Sequence, residues 1–513
     1  MRVGLDFGTT HTVVAAVDRG NYPVVAFDGG DALPSVVAAR RDDGALRFGE
    51  AAVAVAGDPD WEVLRALKRQ LHEAGPHAQV TLAGRAFPLP ELLTGYLVHV
   101  REALRKHSNL GLARGERLEA AVSVPANSSS AQRFLTLDAY RRAGFEVVAC
   151  VNEPSAAAFE YGHRHGRTLT SRREHVVVYD LGGGTFDTSL LHMAGRRNEV
   201  LASSGIARLG GDDFDDAIAR LVIGRAALAD LDAHGRAALL DECRRQKEAL
   251  TANSRRLVVD LSALGREPVA LPIDDVWAAC QPLVERSLAA LESLVGRPDD
   301  GDGSAGVAWA EIAGIYVVGG GSALPLVGRT LRERFGASRV KRSPHPFAAT
   351  AIGLAVLLDA EAGWSLADRL GRHFGVWREA DRGERIWFDP IFPKDTPLPK
   401  PGEPPLEAER RYPAAHNLGH YRFVECGRVA DGLPEGELLP WTDVRFPFER
   451  ELRTRRRLDQ VPVLRLDGEG PTVEERYRLD ADGVVHVTLA LPQEGFRRTF
   501  TLAREADQLA AGE

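Results

Sequence analysis

The chain has 513 residues, of which 44% are hydrophobic and 27% charged, a balance that excludes a disordered protein and allows several packed domains. Its 64 basic and 72 acidic residues give a net charge of -8 and are spread along the chain, so we expect no nucleic-acid partner. Four scattered cysteines form no CxxC pair, and no segment is typical of a signal peptide or a membrane span. These features predict a cytoplasmic protein without a membrane partner.

The first element is an apolar strand that runs into glycine and threonine. In VGLDFGTTHTVVAAV (3–17), a strand that carries Asp6 meets a turn with Gly8, Thr9 and Thr10, and a second strand follows. Glycine lets the backbone approach a ligand, and successive N–H groups in such a turn bind anions. A plain β-hairpin turn accounts for one such pattern equally well.

The same plan returns in VVVYDLGGGTFDTSLL (176–191). Its strand carries Asp180, the turn contains Gly182, Gly183, Gly184 and Thr185, and Asp187 follows in the second strand. Two such hairpins indicate an internal duplication that presents an acid and an amide-lined turn to one phosphate chain from each side. The chain contains no GK dipeptide, which excludes a P-loop.

Two further glycine clusters precede predicted helices. In RLGGDDFDDAIARLV (208–222), Gly210 and Gly211 lie before a helix for which we predict Asp213 and Asp216 as N-terminal capping residues. In IYVVGGGSALPLVGRTLRERF (315–335), a strand and an amphipathic helix flank a turn that is suited to the nucleoside end of the same ligand. The residues of this turn are Gly319, Gly320, Gly321 and Ser322.

Seven motifs follow one another along the first part of the chain: GLDFGTT, RALKRQL, AVSVPANSSSAQR, NEPSAAAFEYG, VVYDLGGGTFD, LGGDDFD and VVGGGSALP. In this order they resemble the ATPase domain of the seventy-kilodalton heat-shock chaperone family, within the actin, sugar-kinase and chaperone ATPase superfamily. The resemblance spans residues 1 to about 358. It implies an α/β fold with a two-lobed actin-like ATPase domain and duplicated phosphate-binding β-hairpins, and it implies ATP or ADP with Mg²⁺ as ligands.

The resemblance also implies roles for single residues. Lys68 matches the catalytic lysine that positions the attacking water, and Glu153 matches the carboxylate near that water. Asp6 and Asp180 match the two aspartates that hold hydrated Mg²⁺. The hydroxyls that match phosphate contacts are those of Thr9, Thr10 and Thr185, with Asp187 beside them.

The nucleoside pocket departs from the family pattern. Lys247 and Thr251 match a lysine and a serine that touch the adenosine, but Arg244 stands where a glutamate is expected. Ala323 replaces an arginine that covers the adenine, and Phe347 replaces an acid. We therefore expect the hydrolytic residues to be retained while nucleotide affinity and base preference are altered.

The sequence pattern of the last part of the chain predicts an all-β module. A proline-rich stretch is followed by YRLDADGVVHVTLAL (477–491), whose alternating residues predict a β-hairpin around Asp482 and Gly483. With IFPKDTPLP, this segment resembles the β-sandwich peptide-binding domain of the same chaperones. Candidates for the peptide groove are Trp387, Phe388 and Val424, for which sandwich core is an equally good interpretation.

The predicted domains are an ATPase domain (1–362), a linker (363–384), a smaller β-sandwich (385–503) and a C-terminal tail (504–513). The linker lacks the short acidic and apolar motif of the family, and the sequence ends soon after the last predicted strand. We therefore expect a divergent member of the family without the helical lid.

Three functions remain open at this stage. The first is an ATP-hydrolysing chaperone that binds extended polypeptide clients as a monomer, with a J-domain co-chaperone and a nucleotide-exchange factor as further partners. The second is a nucleotide-sensing scaffold with little turnover. The third is a small-molecule kinase of the same superfamily, against which the AVSVPAN and NEPSAAA motifs and the β module argue.

Overall fold

The structure is a computed structural model that describes residues 1–72, 77–170, 172–295, 306–441, 444–501 and 504–505. It contains two compact units. The first unit is Met1–Gln70, Gln79–Ala126 and Asp138–Leu366, and the second is Leu71–Ala78, Asn127–Leu137 and Ala367–Glu513. Within the described ranges, no helix is both long and apolar enough to cross a membrane.

The first unit is mixed α/β. Its strands are β1 (Arg2–Phe7), β2 (His11–Ala16), β3 (Leu33–Pro34), β4 (Val37–Arg40), β5 (Leu46–Phe48), β6 (Trp61–Leu64), β7 (Gln79–Leu82), β8 (Arg85–Pro88), β9 (Glu119–Val124), β10 (Glu146–Asn152), β11 (His175–Leu181), β12 (Phe186–Ala194), β13 (Arg197–Ile206), β14 (Arg256–Val259), β15 (Val269–Pro272), β16 (Ile312–Val318), β17 (Val340–Arg342) and β18 (Ser365–Ala367).

Helices cover these strands. They are α1 (Glu50–Val53), α2 (Leu89–Lys106), α3 (Ser130–Arg142), α4 (Glu153–His165), α5 (Gly211–Ile223), α6 (Arg225–Ala229), α7 (Ala233–Glu248), α8 (Ile273–Glu292), α9 (Pro325–Phe335) and α10 (Ala349–Leu358). The residues of α3 are shared between the two units.

Two sheets of the first unit repeat one topology. Their strand orders are β10-β9-β1-β2-β3 and β17-β16-β11-β12-β13-β18. In each, a hairpin (β1 with β2, β11 with β12) is antiparallel, and its first strand pairs in parallel with a later strand (β9 or β16). This shared order confirms that both predicted hairpins form and that they occupy equivalent positions in a duplicated arrangement.

Strand β11 is buried on both faces. Val177, Tyr179 and Leu181 pack into one buried cluster, whereas Val176 and Val178 pack into another. Successive strand residues point to opposite faces of a sheet, so a continuous apolar run is what a strand covered on both sides requires. The core therefore fixes the strand from which the glycine turn emerges.

The second unit is built mainly from strands. They are β19 (His373–Ala380), β20 (Arg385–Phe392), β21 (Leu406–Pro413), β22 (Leu418–Tyr421), β23 (Phe423–Ala430), β24 (Leu433–Pro440), β25 (Val444–Pro447), β26 (Thr472–Leu479), β27 (Val485–Leu491), β28 (Phe496–Thr501) and β29 (Arg504–Glu505). They form sheets of order β20-β19-β23-β24 and β21-β26-β27-β28-β29, with a separate β22-β25 pair.

One hydrophobic core joins the two larger sheets of this unit. Phe374 and Phe423 reach it from the first sheet, and Val485, Val487 and Leu489 reach it from the second. The predicted hairpin joins β26 to β27, with Leu479 opposite Val485. Its alternation is confirmed because the residues between the buried ones are only half-buried.

The segment predicted as a linker, 363–384, contains regular structure. Strand β18 belongs to a sheet of the first unit, and β19 contributes Phe374 and Val376 to the core of the second. The boundary between the two units falls between Leu366 and Ala367. Of the predicted tail, residues 504–505 form β29, and 506–513 lie outside the described residues.

Candidate functional site

Each hairpin carries its aspartate at the same place. Asp6 is the last but one residue of β1, and Asp180 is the last but one residue of β11. The turns close in the same way, since Gly8 N donates to His11 O at 3.0 Å and Gly182 N donates to Thr185 O at 3.0 Å. The duplication therefore reproduces the acid and the turn together.

The glycine turns pack against one another so closely that side chains would not fit. A Cβ on Gly183 would lie 2.6 Å from Thr10 Cγ2, and one on Gly184 would lie 2.6 Å from Thr9 Cγ2. A Cβ on Gly210 would meet the backbone of Gly183 at 2.6 Å. The motif therefore needs glycine for the approach of one loop to another, as well as for access of a ligand.

The third glycine cluster also packs closely against the second hairpin. Gly319 has a φ of +83°, and a Cβ there would lie 2.3 Å from Leu181 O. A Cβ on Gly321 would lie 2.5 Å from Gly182 O. The turn predicted for the nucleoside end is thus packed directly beneath the second hairpin.

Lys68 lies beside the two hairpins. It belongs to a 3-10 helix, Leu67–Leu71, and its Nζ donates to Glu153 Oε1, at the first position of α4. The two residues are 8% and 7% exposed, and Nζ lies 5.9 Å from the centre of the Phe7 ring. Charged groups are buried at this depth when they are paired, as they are here.

Burial controls the ionisation of this group of residues. It raises the pKa of Asp6 to about 7, with Lys68 acting in the opposite direction, and it raises the pKa of Asp180 well above its ordinary value, helped by Glu153 and Asp6. Burial would lower the pKa of Lys68, but Glu153 and Asp6 outweigh it and the pKa is raised. The lysine therefore stays protonated among several acids that a further cation would stabilise.

This donor set suits a hydrated cation. Among the described residues, no three His, Cys, Asp or Glu side chains converge closely enough to hold a metal ion directly. Mg²⁺ keeps several of its waters and often uses only one or two carboxylates, so Asp6 and Asp180 are compatible with it through water.

The hairpins, Lys68 and Glu153 line a cavity of about 850 Å³. Most residues predicted for the nucleotide site lie in its wall: Asp6, Gly8, Thr9, Thr10, Lys68, Glu153, Asp180, Gly182, Gly183, Thr185, Gly211, Lys247, Gly319, Gly320 and Gly321. The volume is within the range of small-molecule and cofactor pockets.

Five predicted residues lie outside this wall: Gly184, Asp187, Gly210, Thr251 and Ser322. Asp187 Oδ1 accepts a hydrogen bond from Ala126 N at 3.1 Å, and the buried Ser322 hydroxyl donates to Gly319 O at 2.7 Å. Thr251 is exposed, and its Oγ1 lies 3.4 Å from Ser254 Oγ. Asp187 and Ser322 therefore support the loops of the site by hydrogen bonds to the backbone. Thr251 does not line the cavity.

The cations that α7 contributes to the cavity wall are paired with acids of α5 and α7. Lys247 Nζ lies 2.7 Å from the buried Asp215 and donates to Gly211 O at 2.6 Å. Arg244 lies 3.0 Å from Asp212, 3.3 Å from Asp215 and 3.7 Å from Asp241. The substitution to arginine is therefore accommodated by surrounding carboxylates.

The two predicted helix caps differ. Asp213 Oδ2 accepts from Gly210 N at 2.8 Å, as a capping residue does. The prediction for Asp216 is wrong, because it is the sixth residue of α5 and pairs with Arg220 and Arg236. Only the first turn of a helix leaves N–H groups for a cap to satisfy.

The sequence was compared with known protein families. The family model described as Hsp70 protein matches residues 70–365, which is more than half of the chain. The chain belongs to the Hsp70 family. The order of motifs, the duplicated hairpins and the glycine-lined cavity are thus found in an Hsp70-family chain, and the family implies an actin-like ATPase domain.

Several curated relatives of this Hsp70-family chain carry one name, "Chaperone protein HscA homolog". The protein from Pseudomonas fluorescens strain SBW25 is 35% identical over 515 residues, covering 95% of this chain and 75% of the relative. Those from P. fluorescens Pf-5 and P. putida KT2440 are 35% and 36% identical over 71% of this chain. The matches with these two span 58% of each relative's length.

Sequence reasoning missed several residues that line the cavity of this Hsp70-family chain: His11, Arg65, Glu248, Leu250 and Arg342. His11 directly follows GTT, and Glu248 directly follows Lys247, so proximity to a motif was the available signal. Burial lowers the pKa of His11, which keeps its ring neutral at pH 7.

The three peptide-binding candidates do not share one environment. Phe388 and Val424 are buried together with Cys426 in a small cluster, which is separate from the main core of the β unit. Trp387 is 43% exposed, and as the neighbour of Phe388 in β20 it points to the opposite face. Leu438, 45% exposed, pairs with Cys426 beside this cluster and was not predicted.

Proposed function

We propose that the chain is an ATP-hydrolysing chaperone that binds extended polypeptide segments under nucleotide control. The observation that carries this proposal is the buried Lys68–Glu153 pair, set beside two equivalent acid-bearing glycine turns in one cavity. Around it we propose two lobes, each built on one of the duplicated sheets, and a β-sandwich formed by the two larger sheets of the second unit.

Phosphate binding rests on the two turns. Backbone N–H groups in glycine-rich turns form concavities for anions, and Thr9, Thr10 and Thr185 add hydroxyl donors from the cavity wall. The close approach of Gly183 to Thr10 keeps the two turns together. We infer that the β- and γ-phosphates lie between them.

Mg²⁺, when bound, neutralises phosphate charge and orients the oxygens of the transferred group. Asp6 and Asp180 would hold it through water, and Ser123 Oγ orients Asp6 by donating to Oδ1 at 3.2 Å. The burial of both acids disfavours their charged forms unless cations are near, which makes them suited to hold a divalent ion.

Lys68 and Glu153 would position the attacking water. Lys68 donates hydrogen bonds from a fixed, protonated ammonium, and its pairing with Glu153 holds that group at the cavity wall. An ammonium near the transferred phosphoryl group stabilises developing negative charge without reorganisation. Thr185 lies on the second turn, where its hydroxyl can contact the same phosphate.

Polypeptide binding is proposed for one face of the sheet β20-β19-β23-β24. Phe388, Val424 and Cys426 form its apolar floor, and Leu438 adds exposed apolar surface next to them. An extended peptide would place alternate side chains on this surface. For the whole protein we propose a J-domain co-chaperone and an exchange factor as partners, as the family suggests.

The test is single-turnover hydrolysis of ATP with Mg²⁺, with and without an extended apolar peptide. Hydrolysis that the peptide accelerates supports the proposal. Arg244, paired with Asp212 and Asp215, favours a second candidate, a nucleotide-sensing scaffold, because this substitution alters the nucleoside end while leaving the hairpins intact. Tight binding of ATP without turnover would favour that scaffold.

A further inference from the structure

Phe347 is an aromatic residue exposed in the wall of the nucleotide cavity. Its side chain is 47% exposed, and it lines the cavity beside Pro346. Pro346 O accepts a hydrogen bond from Gly319 N at 2.7 Å, which fixes the Phe347 loop against the third glycine turn. Phe347 thus lines the cavity close to the third glycine turn.

The cations that line this cavity are mostly engaged. Arg65 pairs with Asp241 at 2.8 Å, and Lys247 and Arg244 pair with acids of α5. Of the described lining residues, Arg342 is an arginine with no ion pair, and it is the last residue of β17, just before the loop that carries Phe347. Among the described lining residues, a nucleobase beside this turn therefore meets one arginine without an ion pair and the exposed Phe347 ring.

The rest of the protein covers only about half of the Phe347 side chain. Among the described residues it stacks on no other ring, and nearly half of its surface remains in contact with solvent. A large apolar side chain that stays exposed to water does not contribute the favourable free energy that its burial would give. A planar base laid on the ring recovers that free energy, and stacking of a base on an aromatic side chain strengthens binding by about 10-fold.

We propose that Phe347 stacks on the base of the bound nucleotide and is the residue that fixes the nucleoside end. This inference rests on the proposed binding of ATP and ADP at the two hairpins. Every base presents a flat π surface, so stacking discriminates weakly between adenine and guanine. The chain therefore binds ADP and GDP with similar affinity.

The test compares the full chain with Phe347→Ala, Phe347→Leu and Arg342→Gln by calorimetric titration with ADP, GDP and pyrophosphate, each with Mg²⁺. Phe347→Ala should weaken ADP and GDP binding by about 10-fold, while pyrophosphate affinity stays unchanged. Phe347→Leu, which keeps apolar bulk but loses the ring, should behave like the alanine variant. Unchanged pyrophosphate affinity also shows that the variants fold.

The inference would be overturned if Phe347→Ala or Phe347→Leu bound ADP with wild-type affinity. It would also be overturned if Phe347→Ala lost affinity for ADP and pyrophosphate equally, or if only Arg342→Gln weakened the binding of ADP and GDP. A wild-type preference for ADP over GDP of 100-fold or more, on the order of 3 kcal/mol, would contradict recognition by stacking. If the wild-type chain bound neither ADP nor pyrophosphate, the proposed function itself would fail.

Discussion

Lys68 donates a hydrogen bond to Glu153 across 85 positions of the sequence, and both side chains are more than nine-tenths buried. The lysine comes from a short 3-10 helix and the glutamate from the start of α4. A buried ion pair costs desolvation energy and is weak evidence for stability by itself. Its position in the cavity wall with Asp6 and Asp180 is what the catalytic role that we propose for it requires.

Replacing Lys68 by alanine should leave nucleotide binding in place and lower single-turnover hydrolysis by about 100-fold or more, because the fixed ammonium is lost. Hydrolysis is measured with a trace of labelled ATP and excess protein. Normal turnover in Lys68→Ala would show that the lysine has no catalytic role.

The loss of Lys68 also leaves Glu153 buried without its partner, which destabilises the fold by about 3 kcal/mol. The double variant Lys68→Ala with Glu153→Gln removes the stranded charge, so it should recover stability while remaining inactive. Lys106→Ala, an exposed residue of α2, is the control and should hydrolyse ATP at the wild-type rate. A double variant that recovered turnover would contradict the assigned roles.

Replacing Gly183 by alanine should weaken ADP binding and lower the free energy of unfolding by about 1–3 kcal/mol. The new Cβ would lie 2.6 Å from Thr10 Cγ2, so the two turns must separate. The matched control is Gly166→Ala, at an exposed position with nothing within 4 Å of a new Cβ. Equal ADP affinity in both variants would mean that separating the two turns does not affect nucleotide binding.

Asp389 should make the β unit sensitive to acid. It accepts hydrogen bonds from Arg410 Nη2 at 2.9 Å and from Arg378 Nε at 3.0 Å. Burial acts to raise the pKa of Asp389, but the two arginines outweigh it, so the pKa lies below its ordinary value. A carboxyl whose folded pKa is lowered stabilises the fold above its unfolded pKa, near 3.9, and loses this contribution as the pH falls through the folded value.

Asp389→Asn should therefore lower the free energy of unfolding at pH 7 by about 1–3 kcal/mol. The difference from wild type should shrink below about pH 4, where the carboxyl of the unfolded wild-type chain becomes protonated, and vanish as the pH falls through the lower folded pKa. Urea unfolding of both proteins from pH 7 to pH 3 checks this. The exposed Asp381→Asn is the control, and a difference that stayed constant with pH would contradict the mechanism.

Leu438→Ser should weaken the binding of an extended apolar peptide by about 5-fold and leave stability within about 0.5 kcal/mol of wild type. Leu438 is exposed beside the buried Phe388 and Val424 cluster, so it can be changed without a cavity. Leu406→Ser, on the other large sheet, is the control. Peptide affinity is measured by fluorescence polarisation, and an equal effect of both variants would argue against a groove on this face.

Local pattern was sufficient to predict the strands and turns of the site. Asp6 and Asp180 each precede a glycine turn after an apolar strand, and the structure gives both strands the same place in their sheets. The same reasoning identified the β26–β27 hairpin from alternating residues around Asp482 and Gly483. These features depend on neighbours in the chain, which the sequence displays directly.

Other assignments depended on residues far apart in the chain. Thr251 matched a contact position by motif, yet it lies outside the cavity wall, whereas His11 and Glu248 line the cavity without a motif of their own. Trp387 and Phe388 are adjacent in sequence but point to opposite faces of their strand. A motif specifies a residue type at a position, and packing decides which way that side chain points.

The sequence by itself determined the family, the duplicated hairpins and the positions where glycine is needed, because strand alternation and turn chemistry are local. Only the tertiary structure decided that Lys68 meets Glu153, that Arg244 is surrounded by Asp212, Asp215 and Asp241, and that Phe347 is exposed in the cavity wall. These contacts arise when helices and loops from distant parts of the chain pack together, and no local pattern records that packing.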